Sequence, residues 1–186
     1  MESTNDEALI RRIAEGDHAA MRVLFARFHV RIYRYALRIV RREASAEDLI
    51  GEVFLDVWRQ AARFESRSSV STWLLGITRN KAYSSLRRRS EEALDEEAAS
   101  AIEDDADTPE TAVQKKDKSA MLRQCLSVLS SEHREIIDLV YYHERTVEEV
   151  SIIIGIPENT VKTRMFYARK RLSEALKAMG VDRGWP

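Results

Sequence analysis

Between residues 146 and 176 the chain reads TVEEVSIIIGIPENTVKTRMFYARKRLSEAL, and this stretch constrains the fold more than any other. Thr146 and Glu149 have the spacing of a capping box, in which each side chain satisfies a backbone N–H at a helix start. Val147, Val150, Ile153 and Ile154 then recur at helical spacing and give a short helix one apolar face. Gly155 ends that helix, because glycine accepts the left-handed backbone of a helix C-terminus, and Pro157 stands where the next helix begins. In the second helix Val161, Met165, Ala168, Leu172, Ala175 and Met179 share one side. Asn159, Thr160, Lys162, Thr163, Arg164, Arg169, Lys170 and Arg171 fill the rest. A short helix, a glycine turn and a basic second helix make a helix-turn-helix, whose second helix enters the DNA major groove. The alternative is an ordinary helical hairpin with a solvated charged face. Six basic residues against one acid, Glu174, between 160 and 177 favour DNA.

Charge distribution carries the next constraint. The net charge of −1 over 186 residues conceals three blocks: residues 1–90 carry +6, residues 91–113 carry −10 with no base, and residues 114–186 carry +3. Two basic segments separated by an acidic one predict two small domains and a linker. A hydrophobic content of 44% is enough for real cores, while six Gly and three Pro are too few for a turn-rich β-sandwich or barrel. The expected fold class is therefore all-α: two small helical domains joined by a flexible acidic linker, the C-terminal one holding the helix-turn-helix.

In the first domain Leu9, Ile10 and Ile13 mark a short helix that Gly16 and Asp17 interrupt. Val23, Leu24, Phe28, Ile32, Tyr35, Ala36 and Ile39 trace a long amphipathic helix with an arginine-rich opposite face. Ser45 is the expected cap of a third helix through Leu49, Val53, Phe54 and Trp58. A polar stretch from 63 to 69 precedes a fourth helix over about 70–89, with Trp73, Leu74, Ile77, Ala82 and Leu86 inward. Residues 91–116 lack aromatics and cannot bury enough apolar surface to offset their ordering entropy. The second domain, 117–180, opens with a helix carrying Met121, Leu122, Cys125, Leu126 and Leu129. Ser130 or Ser131 then caps a helix with Ile136, Ile137, Val140 and Tyr141 on its apolar face, and 181–186 form a tail.

Enzyme chemistry finds no support. His18, His29, His133, His143 and Cys125 are scattered without metal-ligand spacing, and there is no phosphate-binding glycine loop, so no cofactor is expected. Cys125 on an apolar helical face reads as a core residue, and His133 and His143 as helix-end residues. One cysteine excludes an internal disulfide framework and fits a reducing compartment. With no apolar signal region and no stretch of membrane-spanning length, the expectation is a soluble cytoplasmic protein that does not insert into membranes.

In their order the blocks resemble the bacterial RNA polymerase sigma factors of the extracytoplasmic-function type, the two-domain members of the sigma-70 family. Residues 46–58 (AEDLIGEVFLDVW) are similar to the block that docks on the clamp coiled coil of the polymerase β′ subunit. Residues 64–88 (FESRSSVSTWLLGITRNKAYSSLRR) are similar to the block that recognises and melts the promoter −10 element. Residues 129–172, with GIPENTVKTR and ARKRL, are similar to the −35-reading region.

The resemblance implies residue roles. At the −10 element Phe64, Val70, Ile77 and Asn80 would shape a pocket for a flipped base, with Ser68, Tyr83 and Ser84 nearby and Arg79, Lys81, Arg87 and Arg88 on phosphates. Asp48, Leu49, Ile50, Glu52, Val53, Phe54 and Asp56 form the polymerase-binding set. Of these, Leu49 and Val53, with Trp58, face the domain core, and the acids at 48, 52 and 56 share another face. At the −35 element Lys162, Thr163, Phe166 and Tyr167 would reach bases, Lys162 being the natural guanine reader. Arg164, Arg169, Lys170 and Arg171 would hold phosphates, and Asn159 and Thr160 open the same helix.

Two positions depart from the family pattern: Gly51 stands where glutamine is usual, and Tyr167 where many relatives carry a basic residue. The implied partners are core RNA polymerase, through its β′ clamp and β subunits, promoter DNA and an anti-sigma factor. The acidic linker would either thread a basic channel of the polymerase or serve as a solvated tether. Two rival functions remain at this level. One is a stand-alone helix-turn-helix regulator, which would need a dimer seam. The other is a sigma mimic that titrates an anti-sigma factor, which would be expected to lose the reading cations Arg79, Lys81, Lys162 and Arg164.

Overall fold

The computed structural model describes residues 6–95 and 124–179. The expected linker beyond Asp95, the expected core positions Met121 and Leu122, and the tail at 181–186 lie outside them. Among the described residues every regular element is a helix, and the chain divides into two compact units.

The first unit comprises α1 (Asp6–Ala14), α2 (His18–Val40), α3 (Glu43–Gln60), a 3-10 turn (Ala61–Arg63) and α4 (Val70–Asp95). α2 is the central element, packing on α1, α3 and α4. One core layer joins Leu9, Ile10 and Ile13 of α1 to Leu24, Phe28 and Ile32 of α2, Val53 and Val57 of α3, and Leu74 of α4. A second joins Ala36 and Val40 to Ala46, Leu49 and Ala82. Such burial stabilises by roughly 1.5–3 kcal/mol for each large side chain removed from water.

Asp17, read only as part of an interruption, organises the α1–α2 corner. Its Oδ1 accepts from the Ala19 and Ala20 N–H groups at 2.7 and 3.1 Å, and its Oδ2 is 2.6 Å from the Arg12 guanidinium. The Ala20 N–H first, and Arg12 after it, hold the Asp17 carboxyl below the usual carboxylate range.

Several sequence expectations shift. Val23 is 47% exposed, so the apolar face of α2 runs through Ala20, Leu24 and Phe28 instead. Ser45 does not cap α3: the helix starts at Glu43, after Arg41 turns the chain in the left-handed region at φ 53 and Arg42 extends it. α4 continues to Asp95, past the boundary expected at 90, because Glu, Ala and Leu at 91–94 are strong helix formers.

In the second unit residues 124–127 are helical. They are followed by α5 (Ser131–Ile137), a π-helical turn (Asp138–Tyr142), α6 (Val147–Ile154) and α7 (Glu158–Ala178). Cys125, Leu129, Ile137, Ala168 and Leu172 form its core, flanked by Leu126, Ala175, Leu176 and Met179. Ser130 is the α5 cap, its Oγ accepting the His133 N–H.

The π turn resets the phase of the apolar face: Leu139 and His143 are fully buried, whereas Tyr141, expected inward, is 44% exposed. His143 is thus a core residue, its Nε2 3.4 Å from Asp138 Oδ2. α6 has the expected capping box, with Glu149 N to Thr146 Oγ1 at 3.2 Å and Thr146 N to Glu149 Oε2 at 3.0 Å. Gly155 closes it at φ +75, and the Ser151 hydroxyl donates to the Ile156 carbonyl at 2.6 Å, pinning the turn into α7.

Candidate nucleic-acid interface

On α4, Ile77, Asn80, Ser84, Arg87 and Arg88 recur at spacings of three and four and so form one stripe. Ile77 is half-buried, and the other four are exposed. Arg79 and Tyr83 form a flank, with the guanidinium 4.7 Å above the ring. Ser69 holds the start of the helix, its hydroxyl accepting the Thr72 N–H at 3.2 Å. Arg31 of α2 donates to Ser71 Oγ at 3.3 Å, so the stripe rests on a rigid element.

The residues expected around a flipped base differ in burial. Val70 is 2% exposed, buried in the core at the first turn of α4. Phe64 is half-buried against Trp73, with ring centroids 4.9 Å apart. It lines a cleft of about 390 Å³ with Ile10, Arg11 and Ser66, a cleft whose lining includes no α4 residue. Ser68 is half-buried in the loop before α4. Lys81 turns away from the stripe toward α3, where its ammonium lies 3.0 Å from Asp56 and 3.6 Å from Glu52.

That pairing also changes the reading of α3. Leu49, Val53 and Phe54 are 2%, 0% and 5% exposed. They hold α3 in the core, so of the expected polymerase-binding set these three are buried within the unit. Asp48 and Glu52 are exposed, and Ile50 and Asp56 half-buried; Glu52 and Asp56 face Lys81.

An apolar groove of about 590 Å³ that periodicity did not single out adjoins this face, lined among others by Phe25, Gly51, Leu55 and Trp58. His18 stacks on Trp58 at 4.6 Å. A Cβ at Gly51 would meet open space, so the departure from glutamine leaves this side of α3 uncovered. The available sequence signal was the set of apolar residues off the core phase, Phe25 and Leu55, which are 41% and 47% exposed.

On α7, Val161 and Ala168 are fully buried and Leu172 is 8% exposed, which turns Asn159, Thr163, Phe166 and Lys170 outward at spacings of four, three and four. Lys162 and Tyr167 flank them and are exposed, as are Arg169 and Arg171, while Thr160 is half-buried. Lys162 lies 3.5 Å from Glu158, one turn earlier. Arg164 pairs with Glu132 of α5 at 3.1 Å, a tie within the domain at a position expected on phosphate.

The class follows from these features: a helical chain of two units, the second a helix-turn-helix with a basic second helix turned to solvent. Comparison with known proteins makes this specific. Sigma-70 region 2 matches residues 24–92 and Sigma-70 region 4 matches residues 125–174. The chain is 30% identical over 179 residues to the ECF RNA polymerase sigma factor SigK of Mycobacterium tuberculosis strain H37Rv, covering 94% of this chain and 95% of that one. It is also 30% identical to SigL of the Erdman strain, covering 91% and 96%.

Among solved structures it is similar to the sigma factor RpoE of Bartonella quintana, in complex with the anti-sigma factor NepR. The TM-score is 0.71 and the identity 29%, over 87% of this chain and 98% of that one. CnrH, in complex with the cytosolic domain of CnrY, shares the fold at a TM-score of 0.68 and 22% identity, over 93% and 97%. The chain belongs to the sigma-70 family, in its extracytoplasmic-function branch. Members of that family are non-enzymatic transcription initiation factors.

Proposed function

We propose that the chain binds core RNA polymerase through its β′ clamp and β subunits and directs promoter-specific initiation in the cytoplasm. The first unit recognises and melts the −10 element, and the second binds the −35 element. The observation that carries this reading is the pair of outward basic faces, one on α4 and one on α7, each inside its matching sigma-70 region. Asn80 holds the opened strand through hydrogen bonds of its amide, and Arg87 and Arg88 through its phosphates. Asp48, Ile50, Glu52 and Asp56 face the polymerase. The similarity to RpoE, whose solved structure includes an anti-sigma factor, supports an anti-sigma partner here as well.

Run-off transcription with purified core polymerase on genomic promoter fragments tests the reading. The expected result is a set of transcripts that require this chain. Folded protein that yields none from any promoter would sink it. Asn80→Ala should reduce open-complex formation about tenfold and leave core binding unchanged, whereas equal loss of core binding would make Asn80 structural.

A further inference from the structure

The outward stripe of α7 has an unexpected chemistry for a helix surrounded by cations. At its centre stands Phe166, 60% exposed, beside Tyr167, 52% exposed, with their rings edge to face at 5.5 Å and 77°. One turn before Phe166 is Thr163, whose hydroxyl donates to the Asn159 carbonyl at 2.9 Å. That bond uses the hydroxyl proton inside the helix, which leaves the methyl as the apolar group of an exposed side chain. Lys162, the expected guanine reader, sits on the flank of the stripe beside the Glu158 carboxylate.

The groups that lead into the groove are therefore a methyl and an aromatic ring, flanked by cations suited to phosphates. In the major groove the apolar feature of a base pair is the thymine C5-methyl group, which makes contacts with Thr methyl and Phe side chains. Asn159, at the exposed start of the same stripe, has an amide of the type that pairs bidentately with adenine.

We propose that α7 reads its DNA element through thymine methyl groups, with the Thr163 methyl and the Phe166 ring as readers. Tyr167 is a positioning residue whose edge contact fixes the Phe166 ring. The proposal rests on the −35 role given above and adds the chemical class of base that the helix selects.

The test is selection of holoenzyme, formed from the full chain and core polymerase, on duplexes randomised at the −35 region. The best duplex is then remade with deoxyuridine in place of each thymidine in turn. The expected result is thymine enrichment and about a fourfold loss of affinity at one or two positions, equivalent to about 0.8 kcal/mol for one buried methyl. In Phe166→Ala or Thr163→Ser that loss should vanish at one of these positions. Both side chains project outward, and unchanged helicity and thermal midpoint check the fold. Enrichment of an element with no deoxyuridine effect at any position overturns the methyl reading while sparing the −35 role. A deoxyuridine effect that persists in both variants overturns the assignment of readers. Absence of any enriched element overturns the −35 role itself.

Discussion

Lys81 is the position where sequence and structure assign different work, and the assignment is measurable. Its ammonium lies 3.0 Å from Asp56 and 3.6 Å from Glu52, with side-chain exposures of 28%, 20% and 50%. Partly exposed pairs of this kind contribute about 0.2–1 kcal/mol each after solvent screening and the entropy of holding a lysine. Lys81→Met should therefore lower the stability of the first unit by about 1 kcal/mol, a fall of about 4–8 °C in thermal midpoint for a domain of its size. A double-mutant cycle with Asp56→Asn should return about 0.5 kcal/mol or more of coupling.

The distinguishing assay is promoter binding by holoenzyme against salt. Each phosphate contact contributes about 0.7–0.9 to the slope of log affinity on log salt. Because Lys81 faces carboxylates on α3, Lys81→Met should leave that slope almost unchanged, whereas Arg87→Met, on the exposed stripe, should reduce it by nearly one contact. A Lys81→Met slope that falls as far as that of Arg87→Met, with no coupling to Asp56, would refute the assignment.

Leu49→Ala should destabilise the first unit by about 2–5 kcal/mol through a cavity between α2 and α4. At a temperature where the variant stays folded, core-polymerase affinity should be unchanged, and a selective loss of affinity would return Leu49 to the docking face. Thr146→Ala breaks the capping box and should cost about 1 kcal/mol in urea unfolding of the second unit; an unchanged midpoint would show the cap to be dispensable. Burial pushes the Cys125 thiol above its ordinary value of 9.0, so the folded state holds that proton more tightly than the unfolded one. Its contribution is complete below pH 9.0 and declines as pH rises through the folded value. Unfolding midpoints of wild type and Cys125→Ala should converge on the alkaline side, and alkylation of native Cys125 should be far slower than in urea. Rapid native alkylation at pH 8 would count against the burial.

Legibility differed between the helix-turn-helix and α4 for a physical reason. α6 and α7 are specified by local signals: a capping box, a glycine with positive φ and apolar positions spaced three and four apart all lie within one stretch of sequence. Their buried residues, Val150, Ile153, Val161 and Ala168, are the ones periodicity selects. α4 has no such clean face. Thr72 and Thr78 are fully buried, with the Thr78 hydroxyl satisfied by the Leu74 carbonyl at 2.8 Å. Which side of α4 meets α3 therefore depends on packing across α2.

From the sequence alone came the helical class, the two basic segments, the helix-turn-helix and the family, because these rest on composition, local capping and residue order. Only the tertiary structure decided which members of each expected site are exposed and which are buried or paired within the chain. Val70, Leu49, Val53 and Phe54 sank into the core, Lys81 turned to Asp56 and Glu52, Arg164 turned to Glu132, and Phe166 came to the centre of the outward stripe of α7. Those outcomes depend on neighbours distant in sequence, and helical periodicity carries no information about which partner a charge or a ring will meet.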